Sequence, residues 1–287
     1  MATLLDVARA FRSACVTFKH LTPQRITPEH VFVGNHAVVC RCILSDSGKE
    51  VAIKCYPRHR RNIPAIYGAS YMRDEACIYT VNRVDTWLDV VVEPWIEGRS
   101  LDTLMRGKEC DYGALSAAFD HMALALLRSG RTHGDIKPEN VIVVSSGDMH
   151  LIDYDAAWVH GFTDADLEEV GTPAFSHPLR VGRCFDAYID DYPIALISIM
   201  LAAMSYSRES FEPFLNEDNT IFNANEVFKG TDARMLEAIS LFERRHDRVH
   251  SSVAHSLYGS DGHVEHLADI LAGEWVVEPK IPLVVHE

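Results

Sequence analysis

Apolar residues at Leu4, Ala8, Phe11, Cys15 and Phe18 recur at helical spacing, with Asp6, Arg9 and Arg12 between them. This is the pattern of an amphipathic N-terminal helix, whose apolar stripe needs a partner to bury it. The period then changes. Val31–Val33, Val38–Ile43 and Val51–Tyr56 are short β-like runs, and Ser45-Asp46-Ser47-Gly48 is a turn between the last two. Residues 66–83 read as a helix and 87–93 as a strand. Leu115, Ala118, Phe119, Met122 and Leu126 mark another helix, which Gly130 stops. A hairpin follows, with strands at 141–144 and 149–152 around Ser145-Ser146-Gly147-Asp148. Beyond residue 190 the pattern is mostly helical, with clear segments near 191–204 and 233–245.

Strands early and helices late imply an α+β protein with a β-rich lobe joined to an α-rich one. The join is expected near Glu93–Gly98, where Pro94 and Gly98 flank a hinge, giving 1–93, 94–98 and 99–287 as the divisions. Ligands favour such junctions. No internal repeat or low-complexity tract interrupts the 287 residues.

Composition narrows the function. Apolar residues make up 47% and charged residues 24%, as in ordinary globular domains. No stretch approaches the roughly 20 uninterrupted apolar residues of a membrane helix, so no membrane partner is expected. Charges within the first fifteen residues argue against a secretory signal. The seven cysteines (15, 40, 42, 55, 77, 110 and 184) are odd in number and scattered, which suits reduced thiols in a cytoplasmic protein. A net charge of −14 opposes general binding of nucleic acid. The basic run Arg58-His59-Arg60-Arg61 then reads as a solvated loop.

The segment His133-Gly134-Asp135-Ile136-Lys137-Pro138-Glu139-Asn140, with Asp153 beyond the hairpin, concentrates the chemistry. Phosphoryl transfer requires a carboxylate to orient the attacking hydroxyl, cations to neutralise phosphate, and oxygen ligands for magnesium. Asp135 can take the proton and Lys137 can neutralise the transferred phosphate. Asn140 and Asp153 offer oxygens suited to a hard octahedral ion, and the hairpin would bring them side by side. Residues 133–140 resemble the catalytic loop of eukaryotic-type protein kinases.

Other segments fit the same family from about residue 30 to 245, in a subset with bacterial character. The resemblance implies a two-lobed protein kinase-like fold with a small β-rich N-lobe and a larger helical C-lobe. Val51-Ala52-Ile53-Lys54 is similar to the family's phosphate-lysine strand, with Glu75 as the partner of Lys54, ahead of Asp74 and Glu93. Gly34 is the one glycine kept from the phosphate loop, and Val39 falls where a valine packs on adenine. Val92 would be the gatekeeper, and the backbones of Glu93 and Trp95 would meet the adenine edge. Asp153-Tyr154-Asp155 stands for Asp-Phe-Gly, and Asp155 restricts the backbone where the family has glycine. Gly171-Thr172-Pro173 resembles the end of an activation segment, with Thr172 bonding near Asp135 and Lys137. Leu179 replaces a glutamate there, and Asp190 would tie down the catalytic loop.

The implied activity is ATP- and Mg2+-dependent phosphorylation of Ser/Thr on a protein substrate. Gly134 replaces an arginine that reads loop phosphorylation, and Asp164, Asp166, Glu168 and Glu169 would repel a phosphate, so that control is not expected. Two alternatives stand beside it. A pseudokinase scaffold is favoured by the reduced glycine loop, and an aminoglycoside-type phosphotransferase by the acidic composition. The histidine pairs His246/His250 and His263/His266 have helical spacing but no cysteine partners, and no zinc is expected. The resemblance leaves the N-terminal helix and the tail from Glu278 unexplained.

Overall fold

The computed structural model describes residues 2–13, 15–79, 85–107, 110–180, 185–258 and 260–277, without the side chains of 24–29. The chain is α+β and divides into two units, Met1–Ile96 and Glu97–Glu287. Each has its own apolar core.

In the first unit, Thr3 and Asp6 form a reciprocal cap that starts α1 (Leu4–Arg12). Val7, Ala8 and Phe11 are its buried face. The helix is shorter than its apolar spacing suggests. Val16–Phe18 forms β1, because it pairs with Ala76, Cys77 and Ile78. The other strands are β2 (Pro23–Val33), β3 (Val38–Leu44), β4 (Glu50–Tyr56), β5 (Tyr71–Tyr79) and β6 (Asp85–Pro94). They form one antiparallel sheet in the order β1-β5-β6-β4-β3-β2.

The helix expected at 66–83 is replaced by a single helical turn and a strand. Pro64 helps start α2 (Ile63–Tyr67), and Gly68 at φ 52° ends it. β5 then pairs with β6, but its register shifts between Met72 and Ala76, with Asp74 at φ 48°. That bulge hides the two-residue alternation from the sequence. Residues 80–83 lie outside the described residues.

The second unit opens with β7 (Arg99–Ser100) and α3 (Leu101–Met105). β7 pairs with β8 (Val141–Val143), which pairs with β9 (Met149–Leu151). Gly98 sits against this sheet, where an added Cβ would lie 2.5 Å from the Val143 carbonyl oxygen. α4 (Tyr112–Ser129) is capped by Asp111 and ended by Gly130 in the left-handed region. α5 (Asp191–Tyr206) is buried on every side from Asp191 to Met204, as an all-round apolar helix must be. Around it lie α6 (Arg208–Phe211), α7 (Ala224–Lys229), α8 (Ala233–Arg245), α9 (Arg248–Leu257) and α10 (Leu267–Leu271). Among the described residues, no helix is long and apolar enough to cross a membrane. Six of the cysteines are free thiols; Cys184 and the tail from Glu278 lie outside the described residues.

Candidate active site

Strand register sorts the first unit's candidate residues onto two faces. Phe32, Val39, Lys54, Val91 and Tyr71 form one cross-strand row. Directly paired residues point to the same side of a sheet, so Phe32 and Val39 share a face with Lys54. Lys54 is 8% exposed, and its ammonium lies 5.7 Å from the Tyr56 ring centre. Ala52 pairs with Arg41 and Glu93, which places them in the next row on that face. His30, Phe32 and Trp95 form an aromatic cluster, with Arg41 over the Trp95 ring at 5.2 Å. Gly34 closes the β2–β3 turn, its N–H donating to the Ala37 carbonyl at 2.9 Å.

Three assignments change. Val92 is paired with Ile53 and packs on the apolar core, so it lies on the face away from Lys54; Val91 holds the place opposite that lysine. The Trp95 N–H donates to the Glu50 carbonyl at 3.1 Å, which extends the β4–β6 ladder and removes it as an adenine donor. Glu75 has neither the expected helix nor the expected partner. Its carboxylate is fully buried and accepts backbone N–H bonds from His20 (2.7 Å) and Leu21 (2.8 Å), with the His20 ring at 2.7 Å. Burial pushes its pKa up, but these bonds outweigh that and hold the carboxyl below its ordinary value.

The second unit assembles its candidates around Asp135. Its Oδ1 accepts the Thr172 N–H at 2.7 Å, and its Oδ2 lies 3.0 Å from the Lys137 ammonium. Lys137 also donates to Thr172 Oγ1 at 2.8 Å. Asn140 Nδ2 donates to the Asp135 carbonyl at 2.9 Å and to its Oδ2 at 3.3 Å. With that nitrogen committed, Oδ1 is the end of Asn140 suited to a metal. The Ile152 N–H bonds the Asn140 carbonyl at 3.0 Å, which brings Asp153 beside Asn140 as the hairpin closes. Asp153 itself is held at φ 69°.

A second set of groups fixes this loop. Buried Asp190 accepts the N–H groups of His133 (2.5 Å) and Gly134 (2.8 Å). Burial raises its pKa, opposed by these same bonds. The His133 Nδ1 accepts the Asp135 N–H, so the ring proton sits on Nε2 and is donated to the Ile152 carbonyl at 2.8 Å. One imidazole therefore pins the Asp135 loop to the residue before Asp153. Gly134 is at φ 83°, and an added Cβ would lie 1.9 Å from the Ala156 carbonyl oxygen. In this conformation no side chain fits at position 134.

Sequence reasoning missed Arg180, whose Nη2 donates to the Gly134 carbonyl at 2.7 Å across 46 residues. A lone arginine after Pro178-Leu179 gives no local signal of so distant a partner. Elsewhere three of the four paired histidines are engaged by carboxylates. His250 bridges Asp120 and Asp247, His263 meets Asp191, and His266 meets Asp269.

The arrangement in the second unit is chemically specific. A carboxylate sits against a lysine and a threonine backbone N–H, with an amide oxygen and a second carboxylate nearby on the hairpin. No protein-family model matches the chain, and no curated protein is significantly similar to it.

Proposed function

We propose that the chain is an ATP- and magnesium-dependent phosphotransferase of the protein kinase type, acting on Ser/Thr hydroxyls of a protein substrate. On this reading the two units are the small and large lobes of a protein kinase-like fold. The observation that carries it is the Asp135–Lys137–Asn140–Thr172 constellation, in which one carboxylate is oriented by three different side chains or backbone groups. In the first unit, a sheet face that joins aromatic and aliphatic side chains to a nearly buried lysine suits a base at one end and phosphates at the other.

The Thr172 N–H and the Lys137 ammonium fix the Asp135 carboxylate for the incoming hydroxyl. The hydroxyl oxygen forms a bond to the γ-phosphorus of ATP as the bond to the bridging oxygen breaks. Asp135 takes the hydroxyl proton, and ADP leaves. Lys137 offers its charge to the transferring group, and Lys54 to the remaining phosphates. Asn140 Oδ1 and the Asp153 carboxylate would hold magnesium, which supplies charge neutralisation to the phosphates.

The test is phosphate transfer from labelled ATP to a protein or peptide mixture, with nucleotide binding measured in parallel. Asp135→Asn keeps the size of the side chain and is expected to lower kcat about 10²–10⁴-fold, the usual contribution of an acid–base group. Nucleotide affinity should stay within a few-fold. Asp153→Ala should remove the magnesium dependence of binding. Binding without transfer to any protein acceptor would favour the scaffold or small-molecule readings, and absence of nucleotide binding would overturn the assignment.

A further inference from the structure

The segment that follows Thr172 returns to the Asp135 loop at Arg180, and beside it the second unit encloses a cavity of about 110 Å3. Its walls include His177, Arg180, Asp186, Tyr192, Asp261 and His263. Arg180 and Tyr192 are 4% and 2% exposed, yet Arg180 Nε and the Tyr192 hydroxyl have no hydrogen-bond partner among the described residues. A buried donor left unmade is costly, and more so on a charged group. Both atoms belong to side chains that line one cavity, which is a reason to look for what completes them.

The rest of the lining decides the chemistry. Asp186 accepts the Tyr188 N–H at 2.9 Å with one carboxylate oxygen, and Asp261 accepts the His263 N–H at 3.3 Å with one of its own. Each carboxylate has a second oxygen able to accept. Asp190, close enough to act on Arg180 by charge, adds a further negative group. The carboxylates of Asp190, Asp135 and Asp186, all close enough to act on Arg180 by charge, disfavour an anion, while Arg180 disfavours a cation. The complementary group is neutral. It turns a carbonyl oxygen toward the two unmade donors and N–H groups toward Asp186 and Asp261, as a primary carboxamide does. A cavity of about 110 Å3 admits a side-chain amide.

We propose that this cavity receives the carboxamide of an Asn or Gln beside the acceptor hydroxyl of the protein substrate. The identity of this occupant rests on the phosphotransfer reading, whereas the amide chemistry of the cavity does not. Arg180 is then a specificity-determining residue. Its Nη2 holds the Gly134 carbonyl, one residue before Asp135, so an amide on its Nε docks next to the reacting carboxylate. His177 is a fixed wall, its Nδ1 bonded by the Leu179 N–H and its Nε2 facing the Ser260 carbonyl at 3.1 Å.

Two measurements on the full chain test this. The first follows the Arg180 Nε–H resonance by nitrogen–proton correlation while propionamide, propionate or guanidinium is added. A saturable shift with propionamide is expected, at least fivefold weaker with propionate and at least fivefold weaker in Tyr192→Phe. No saturable shift, equal or tighter binding of propionate, or a crystal structure in propionamide with only water in the cavity would overturn the proposal. The second scans the residues flanking Ser or Thr in a peptide array. Asn or Gln at one flanking position should raise kcat/KM about tenfold over Ala, with Tyr192→Phe flattening that preference. Labelling without an amide preference overturns the substrate assignment alone. If no peptide is labelled, the phosphotransfer reading fails and the substrate assignment with it, and the resonance still decides the cavity's chemistry.

Discussion

Single atoms set the most stringent conditions on this chain. At Gly134 the backbone is in the left-handed region and passes so near Ala156 that a methyl group has nowhere to go. Gly134→Ala combines that clash with the cost of a positive φ. It should destabilise the protein by about 2–4 kcal/mol, or displace the Asp135 loop. Urea denaturation with an unchanged m-value checks the first outcome, and a fall in transfer activity without loss of stability the second. A variant as stable and active as the parent would show that the loop has another conformation. At Glu75 two backbone donors meet one buried carboxylate, a pairing that neither neighbour in sequence announces. The grouping of Asp135, Lys137, Asn140 and Asp153 was legible in the sequence because those residues lie within one loop and hairpin. Val92, Trp95 and Glu75 were misread because strand register and a bulge, both set by distant partners, decide where they face.

Elements formed where local signals agreed with packing. α4, α5 and α8 begin and end close to where apolar spacing, caps and glycine place them, whereas β5 was hidden by its bulge at Asp74. Between helices the chief polar joint is His250 on α9. Its ring meets Asp120 of α4 at 3.0 Å and Asp247, the N-cap of α9, at 2.7 Å. Asp120 also accepts the Ser198 hydroxyl of α5, and Asp247 that of Tyr206. Burial opposes the charge on His250, but the two carboxylates prevail and push its pKa up to about 9 from 6.5. Because the folded value is the higher one, the stabilisation is complete below about pH 6.5 and is lost as pH rises through 9. The shift corresponds to at most about 3 kcal/mol at 1.36 kcal/mol per unit. The stability difference between the parent and His250→Gln should therefore shrink from pH 6 to pH 9.5 in denaturant titrations. A difference constant across that range would mean that the ring is held neutral.

Over the whole molecule the balance of charge acts against folding. With 41 acidic against 27 basic residues, repulsion is spread over the surface and is only partly answered by local pairs. Raising salt from about 10 mM to about 0.5 M shortens the screening length severalfold, and the melting temperature should rise by about 2 °C or more. A fall over that range would mean that favourable ion pairs dominate. A different consequence follows from the place of β5 in the sheet. A helix that rests on a sheet can swing outward and back without breaking its own hydrogen bonds. β5 lies between β1 and β6 and is bonded along both edges, so it can move only if two ladders open together. A lever built on this segment is therefore welded shut.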